Sequence, residues 1–283
     1  MRLERVGRRY GPRGPWVLRG AVLDLPASAL VRVVGTNGTG KSTLLRLVAG
    51  IDAPSEGRIT GRPPRTAYVP ERFPAALPFT AADYLVHLGR VQGLGRATAR
   101  SRAEEWLERF GAAEHARTEL AELSKGTSQK VAVAQALIAD PDLLVLDEAW
   151  TGLDTTARTA LDRAVREGVA AGGTAVFVDH DPRRLAGEAD AVYAVEAGAV
   201  RAVAATAQAV PPGPRVRITA SGGKPLPEGL PGSPANESPD PDDATRPLVL
   251  TVDAAHSDAL LAALLAASWH IHHLSTEEGA VRV

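Results

Sequence analysis

Cysteine is absent from this 283-residue chain, which excludes disulfide frameworks and thiolate metal sites and leaves the redox compartment open. A dominant charge sign is absent too. With 32 basic and 33 acidic side chains the formal net charge is −1, so there is no electrostatic case for wrapping nucleic acid or adhering to acidic lipid. Long hydrophobic runs are missing: the longest, 259–267, has nine residues where a bilayer span needs roughly 20. The expectation is a chain that does not cross a membrane by itself. The opening MRLERVGRRY is charged and lacks an apolar h-region, so no secretory signal is expected. Lysine is scarce, four residues against 28 arginines, and one of the four, Lys41, stands among glycines.

What is present has an ordinary globular composition, 45% apolar and 23% charged, enough for one large core or one core plus a small appendage. Residues 1–34 read as three strands punctuated by Gly and Pro. Residues 42–50 have helical spacing and end on Gly50, placed as a C′ glycine. The stretch from Thr80 to about Leu123 is predicted helical, with Thr80 and Asp83 as a capping pair and Trp106, Leu107 and Phe110 on one face. A helix in 128–140, a strand in 143–148, a helix in 155–172 and a strand in 174–180 follow. This alternation predicts an α/β sandwich with a mainly parallel sheet. Near residue 206 the composition shifts: nine of the 21 prolines lie between Pro211 and Asp242. Residues 222–246 therefore read as an exposed loop. Around that loop, 215–219 and 247–279 read as the strands and helix of a small α+β appendage. His270 and His272 share a strand face there, but with no third ligand nearby they are not read as a metal site.

Gly35-Thr36-Asn37-Gly38-Thr39-Gly40-Lys41-Ser42 satisfies G-x-x-x-x-G-K-[ST] between a predicted strand and a predicted helix, with Thr43 following. Glycines let backbone N–H groups curl around phosphate oxygens without Cβ clashes. The helix start adds unpaired N–H groups and the positive end of its dipole. Lys41 is a slim charge on a flexible stem that reaches β- and γ-phosphates, where a forked guanidinium would not fit. Ser42 can ligate Mg²⁺ through its hydroxyl. The rival is a glycine-rich hairpin with a chance lysine; the strand–loop–helix context favours the cradle.

The apolar run 143–146 fits a buried parallel strand ending at Asp147 and Glu148, at the sheet edge where ligands collect. Asp147 is placed to hold Mg²⁺ through its water shell, and Glu148, pointing differently by strand alternation, to orient or deprotonate an attacking water. A solvent-exposed acidic strand end is the alternative. Ser124, Lys125 and Gly126 precede a helix; Ser124 reads either as a plain N-cap or as an anion contact along the dipole.

With Ser124 standing 23 residues before Asp147, the sequence resembles the ATP-binding cassette (ABC) family, whose signature L-S-G-G-Q corresponds to Leu123-Ser124-Lys125-Gly126-Thr127. The resemblance covers about residues 1–205. It implies a P-loop NTPase fold of ABC type: a mainly parallel core sheet, an antiparallel β subdomain and a helical subdomain, followed by the appendage at 206–283. It identifies Tyr10 with the aromatic that stacks on adenine, a core tyrosine being the alternative, and Glu71 with the Q-loop position, where the family has glutamine and a carboxylate can still ligate Mg²⁺. The 151–154 segment matches the D-loop, with Ala149 where the family has proline. His180, 32 residues after Glu148, matches the switch histidine at the γ-phosphate rather than a structural strand-end histidine.

The resemblance further implies that two chains, identical or not, sandwich two ATP molecules between the P-loop of one and the Ser124 helix end of the other, with Mg²⁺ as cofactor. Residues 68–95 resemble the same region of exporter ATPases of the multidrug and antibiotic type. The expected partner is a separate membrane permease received near Phe73–Phe79, the expected location the cytoplasmic face of the cell membrane, and no nucleic acid is expected. A soluble ABC ATPase of translation or DNA maintenance is the alternative. Translation factors carry two cassettes and this chain has one; Leu123 stands 82 residues after Lys41, and the stretch between holds no sustained heptads for a DNA-maintenance coiled coil. A P-loop metabolic kinase gives no reason for the Leu123–Thr127 segment.

Overall fold

The computed structural model describes residues 1–11, 13–71, 73, 77–203, 215–222, 230, 234–236 and 247–277. The chain divides into two compact units, Met1–Gln208 and Ala209–Val283. The sequence boundary at 205/206 lies outside the described residues.

In the first unit the order is β1 (Arg2–Arg9), β2 (Trp16–Asp24), β3 (Leu30–Val34), α1 (Lys41–Ala49), β4 (Glu56–Thr60), β5 (Thr66–Val69), α2 (Ala81–Val91), α3 (Arg96–Arg109), α4 (Lys125–Leu137), β6 (Leu143–Asp147), α5 (Thr155–Ala170), β7 (Thr174–Val178), β8 (Ala191–Glu196) and β9 (Ala199–Val203). Six strands form the main sheet in the order β5-β6-β7-β3-β8-β9. Its first five are parallel, and only β9 runs antiparallel to its neighbour β8. A second, antiparallel sheet has the order β2-β1-β4.

Strand periodicity explains how one sheet serves two cores. Val31, Val33, Leu143, Val145, Val176 and Val178 face the side covered by α1 and the small sheet, meeting Leu44, Leu45, Leu3 and Leu18. Leu30, Leu144, Leu146, Ala175 and Phe177 face the opposite side, where the helices bring Trp106, Leu107, Val131, Val133, Leu161 and Val165. Each fully buried Leu or Val contributes about 1.5–3 kcal/mol over an exposed one. Arg32 breaks this pattern, since alternation sends it to the Leu30 side, and it is only 5% exposed.

The predicted long helical stretch is two helices and then irregular chain. Thr80 caps α2 as expected: its hydroxyl accepts the Asp83 N–H at 3.2 Å and donates to the Asp83 carboxylate at 2.9 Å. Gly93 at φ 94° ends the turn after α2, and Gly111 at φ 62° follows α3. The Gly111 and Ala112 N–H groups bond back to Glu108 and Leu107, closing α3. Beyond it lie only two 3₁₀ turns, Ala113–His115 and Leu120–Glu122, so the helical reading to about Leu123 is corrected for the part after Phe110. The apolar Trp106–Phe110 face is buried as the spacing predicted.

The second unit contains β10 (Arg215–Ser221), β11 (Ala235–Asn236), β12 (Leu248–Asp253), α6 (Ala254–Ala266) and β13 (His270–Glu277). Its sheet order is β11-β12-β10-β13, all antiparallel. Leu260 and Leu264 of α6 are fully buried with Ile218, Leu250 and Trp269. The predicted loop 222–246 lies outside the described residues except at 222, 230 and 234–236, and its residues 235–236 pair with β12 as a short strand. The His270 and His272 rings lie edge to face 4.9 Å apart, and His272 Nε2 is 2.7 Å from the Ser221 hydroxyl.

Candidate active site

β3 delivers the glycine loop to the carboxyl edge of the sheet, and α1 begins at Lys41 with Gly40 as its N-cap residue. Gly40 sits at φ 107°, and a Cβ there would meet Leu18 and the Val17 carbonyl at 3.0–3.1 Å, so this position takes only glycine. Gly35 and Gly38 also have left-handed φ, 147° and 80°. Lys41 is 9% exposed. Its ammonium donates to the carbonyls of Gly35 at 2.8 Å and Thr36 at 2.9 Å, spanning the loop where a phosphate would bring negative charge. Thr39 closes the same turn, its hydroxyl donating to the Thr36 carbonyl at 2.9 Å.

The loop and the start of α1 form one wall of a cleft of about 330 Å³, with Glu71, Glu148 and His180 also lining it. Asp147 ends β6 beside this cleft. It is 2% exposed and accepts from the Ser42 hydroxyl at 3.1 Å and the Tyr68 phenol at 2.9 Å. Burial pushes the Asp147 carboxyl above the usual carboxylate range, opposed by the Tyr68 and Ser42 hydrogen bonds and by Arg46. Burial likewise raises the Tyr68 phenol, aided by the adjacent carboxylate, so it stays a donor. A hydroxyl and a carboxylate set together beside an amide-lined loop form an all-oxygen donor set suited to Mg²⁺ beside a polyphosphate.

That carboxylate opposes folding of the free protein. A raised native pKa means the native chain binds the proton more readily than the unfolded chain, so stability falls as pH rises through that pKa. Asp147→Asn is therefore expected to raise the melting temperature of the nucleotide-free protein at pH 7, by about 2–4 °C for each kcal/mol relieved. The gain should shrink as pH falls and the wild-type carboxyl protonates. Scanning calorimetry at pH 7 and at stepwise lower pH checks this; a lower melting temperature at pH 7 would contradict the burial argument.

Glu148 departs from the alternation expected of it. The strand ends at Asp147, and Glu148 takes a left-handed backbone at φ 54° while its N–H donates to the Val178 carbonyl at 3.0 Å. That conformation costs a non-glycine residue about 1 kcal/mol or more. It turns the side chain into the cleft, where Oε1 lies 2.8 Å from His180 Nε2. The carboxylate is 15% exposed and the imidazole 57%. Glu148 and His180, far apart in the chain, are thus brought together against the loop.

Tyr10 is 47% exposed, its phenol bonding Asp52 at 3.1 Å and lying 3.3 Å from the Thr43 hydroxyl, with the Arg8 guanidinium over its ring. Ser124 does not line this cleft. It is exposed at the start of α4, where its hydroxyl accepts the Thr127 N–H at 3.1 Å as an N-cap. A Cβ on Gly126 would come within 3.0 Å of the Gly152 carbonyl, so the start of α4 lies against the 151–154 turn. Lys130 bonds Asp154 of that turn at 2.6 Å. Gln129 and Gln135 tie α4 back to the site, donating to the carbonyls of Ala149 at 3.1 Å and Tyr68 at 3.2 Å. Tyr68 and Arg32 escaped the sequence reading; the tyrosine three residues before Glu71 was a usable signal, and the arginine inside an apolar strand was another.

Comparison with known proteins agrees with this geometry. The family described as "ABC transporter" matches residues 18–151. The aliphatic sulfonates import ATP-binding protein SsuB 1 of Mesorhizobium japonicum is 36% identical over 200 residues, covering 69% of this chain and 75% of that protein. The zinc import ATP-binding protein ZnuC of Cereibacter sphaeroides is 40% identical over 169 residues, covering 58% of this chain and 67% of the relative. A solved structure of the ATP-binding subunit of an ABC transporter superposes with a TM-score of 0.64 at 25% identity, over 70% of this chain and 87% of its own. A dimeric ATP-binding cassette bound to ADP and phosphate shares the fold, with a TM-score of 0.63 at 22% identity over 71% of this chain and 97% of its own. With a phosphate cradle, a buried Asp147 beside Ser42 and relatives of this kind across the cassette, the chain belongs to the ATP-binding subunits of ABC transporters, the ATP-hydrolysing members of that family.

Proposed function

We propose that the chain is the motor of a transporter whose membrane-spanning permease is a separate protein, and that its ATP site is completed by a second cassette. The observation that carries this reading is the separation of parts within one chain. Lys41, Ser42, Glu148 and His180 line one cleft, with Asp147 buried behind Ser42, whereas Ser124 stands exposed elsewhere at a helix start, free to meet a neighbour's nucleotide. In this reading the loop N–H groups and Lys41 bind the phosphates, Ser42 and Asp147 hold Mg²⁺, and Tyr10 faces the base. Mg²⁺ bound there supplies Lewis-acid neutralisation of the β- and γ-phosphate oxygens. Glu71 extends the same ligand set. Glu148 orients and deprotonates water, and His180, in contact with Glu148, reads the γ-phosphate.

Complementation tests the shared site. Ser124→Ala and Lys41→Ala should each lower hydrolysis by about 10²-fold, as removal of one transition-state donor does. An equal mixture should recover to roughly a quarter of the wild-type rate, since half of randomly formed dimers are mixed and each mixed dimer holds one intact site. No recovery on mixing, with both variants folded, would mean that the site is complete within one chain.

Among the described residues no helix is long and apolar enough to cross a membrane, which fits a separate permease and a location on the cytoplasmic face. Phe73, Leu77 and Phe79 pack partly buried against the α2 core, and this surface is the proposed permease contact. Residues 72 and 74–76 of it lie outside the described residues. Export is the direction supported by the resemblance of residues 68–95 to exporter ATPases. Import is the second reading, favoured by the names of relatives 36–40% identical to this chain. Inside-out vesicles carrying the co-purified permease separate them, because only an exporter accumulates cargo when ATP is added outside.

A further inference from the structure

A buried arginine in the central strand needs a reason. Arg32 follows strand alternation onto the Leu30–Phe177 face of the sheet, a position where every neighbouring strand supplies an apolar side chain. A charge taken out of water is costly unless hydrogen bonds replace its hydration. Here they do. One terminal nitrogen of the guanidinium donates to the carbonyls of Pro182 at 2.7 Å and Arg184 at 3.3 Å, and the other to the carbonyl of Asp181 at 2.8 Å. All three acceptors lie in the segment immediately after His180.

The rest of that segment is tied down in the same place. The Asp181 N–H donates to the Asp179 carboxylate at 2.7 Å, and the Arg183 N–H to the Asp181 carboxylate at 2.9 Å. Arg184 reaches Asp179 at 3.5 Å and Asp162 of α5 at 2.9 Å. Asp162 in turn accepts the Trp150 indole N–H at 2.8 Å, two residues beyond Glu148. The His180 imidazole is 57% exposed, so packing of its own ring does not locate it. Its position against Glu148 has to be set through the backbone.

We propose that Arg32 is a positioning residue for His180: from inside the sheet its forked guanidinium clasps the carbonyls of Asp181, Pro182 and Arg184, and so holds the imidazole at Glu148. The proposal rests on the reading of Glu148 and His180 as reacting groups. A planar fork with several fixed donors suits three carbonyls in one short segment; a lysine ammonium is a single point and reaches fewer of them. Nothing in the clasp touches the glycine loop, so nucleotide binding and turnover separate.

Arg32→Met fills the space without donors, and Arg32→Lys keeps the charge but not the fork. Turnover in Arg32→Met is expected to fall about 10- to 100-fold, the range in which small misplacements of catalytic groups act, while ATP affinity by calorimetry changes less than about 3-fold. Arg32→Lys should lie between it and the wild type. In a His180→Ala background, Arg32→Met should add less than about 2-fold, because both changes remove the same interaction. Three results would overturn the proposal: wild-type turnover in folded Arg32→Met, parallel loss of affinity and turnover, or a full additional loss on top of His180→Ala. Should Arg32→Met not fold, hydrogen exchange on the wild-type protein still decides. The amides of Asp181, Arg183 and Arg184 should exchange at least about 10²-fold more slowly than in a free chain, and free-chain exchange would refute the clasp. Absence of hydrolysis by the wild type would instead overturn the reading of Glu148 and His180, and the exchange measurement would still report on the clasp.

Discussion

Glu148→Gln is expected to lower ATP turnover by about 10²–10⁴-fold, the contribution of a positioned general base, and to leave ATP affinity within a few-fold of the wild type. The carboxylate lies in the cleft at 2.8 Å from His180 and is neither part of the glycine loop nor of the Ser42–Asp147 pair. Glutamine preserves its size and one oxygen but cannot take a proton from water. The fold is not expected to suffer, since no ion pair or hydrogen bond beyond that with His180 is at stake among the contacts described for this side chain. If hydrolysis of ATP is what separates two cassettes, the variant should accumulate as a dimer with ATP. Light scattering with ATP and with ADP would show twice the mass only with ATP, and unchanged hydrolysis would remove Glu148 from its role.

Lys41→Ala is expected to weaken ATP binding by about 10- to 150-fold, the factor that corresponds to losing a charged hydrogen bond of roughly 1.5–3 kcal/mol. The ammonium spans the loop through the Gly35 and Thr36 carbonyls at 2.8 and 2.9 Å. The same group is thus both the cation proposed to meet the phosphates and a brace across the loop. Alanine removes both functions, which is why the effect should fall on affinity rather than on turnover alone. Lys41→Arg should not restore it, because a longer, planar fork does not reproduce the single ammonium that meets the Gly35 and Thr36 carbonyls. Calorimetric titration with ATP measures the change, and an unaltered affinity would count against the cradle.

The site was legible in the chain to the extent that its chemistry is local. The glycine loop, the apolar strand ending in two carboxylates and the alternation of strands with helices are patterns of neighbouring residues, set by φ, by the period of two in strands and by helix starts. Thr80 and Asp83 announced the start of α2 for the same reason. Local rules failed where a contact or a backbone turn came from elsewhere. Alternation alone would have placed Glu148 as a continuing strand residue, yet its N–H is taken by Val178 of the neighbouring strand and its φ is 54°. Helical spacing carried the α3 reading past Gly111, whose φ of 62° ends the helix.

Sequence by itself determined that this protein cradles a nucleotide triphosphate, has no cysteine chemistry and builds its core on a mainly parallel sheet, because each follows from composition or from short-range geometry. Only the tertiary structure decided which groups gather at the cleft and what holds them there. Tyr68 meets Asp147 across 79 residues of chain, and Arg32 meets the segment after His180 across about 150. No periodicity encodes such pairs, since they arise from which strands lie side by side in the sheet.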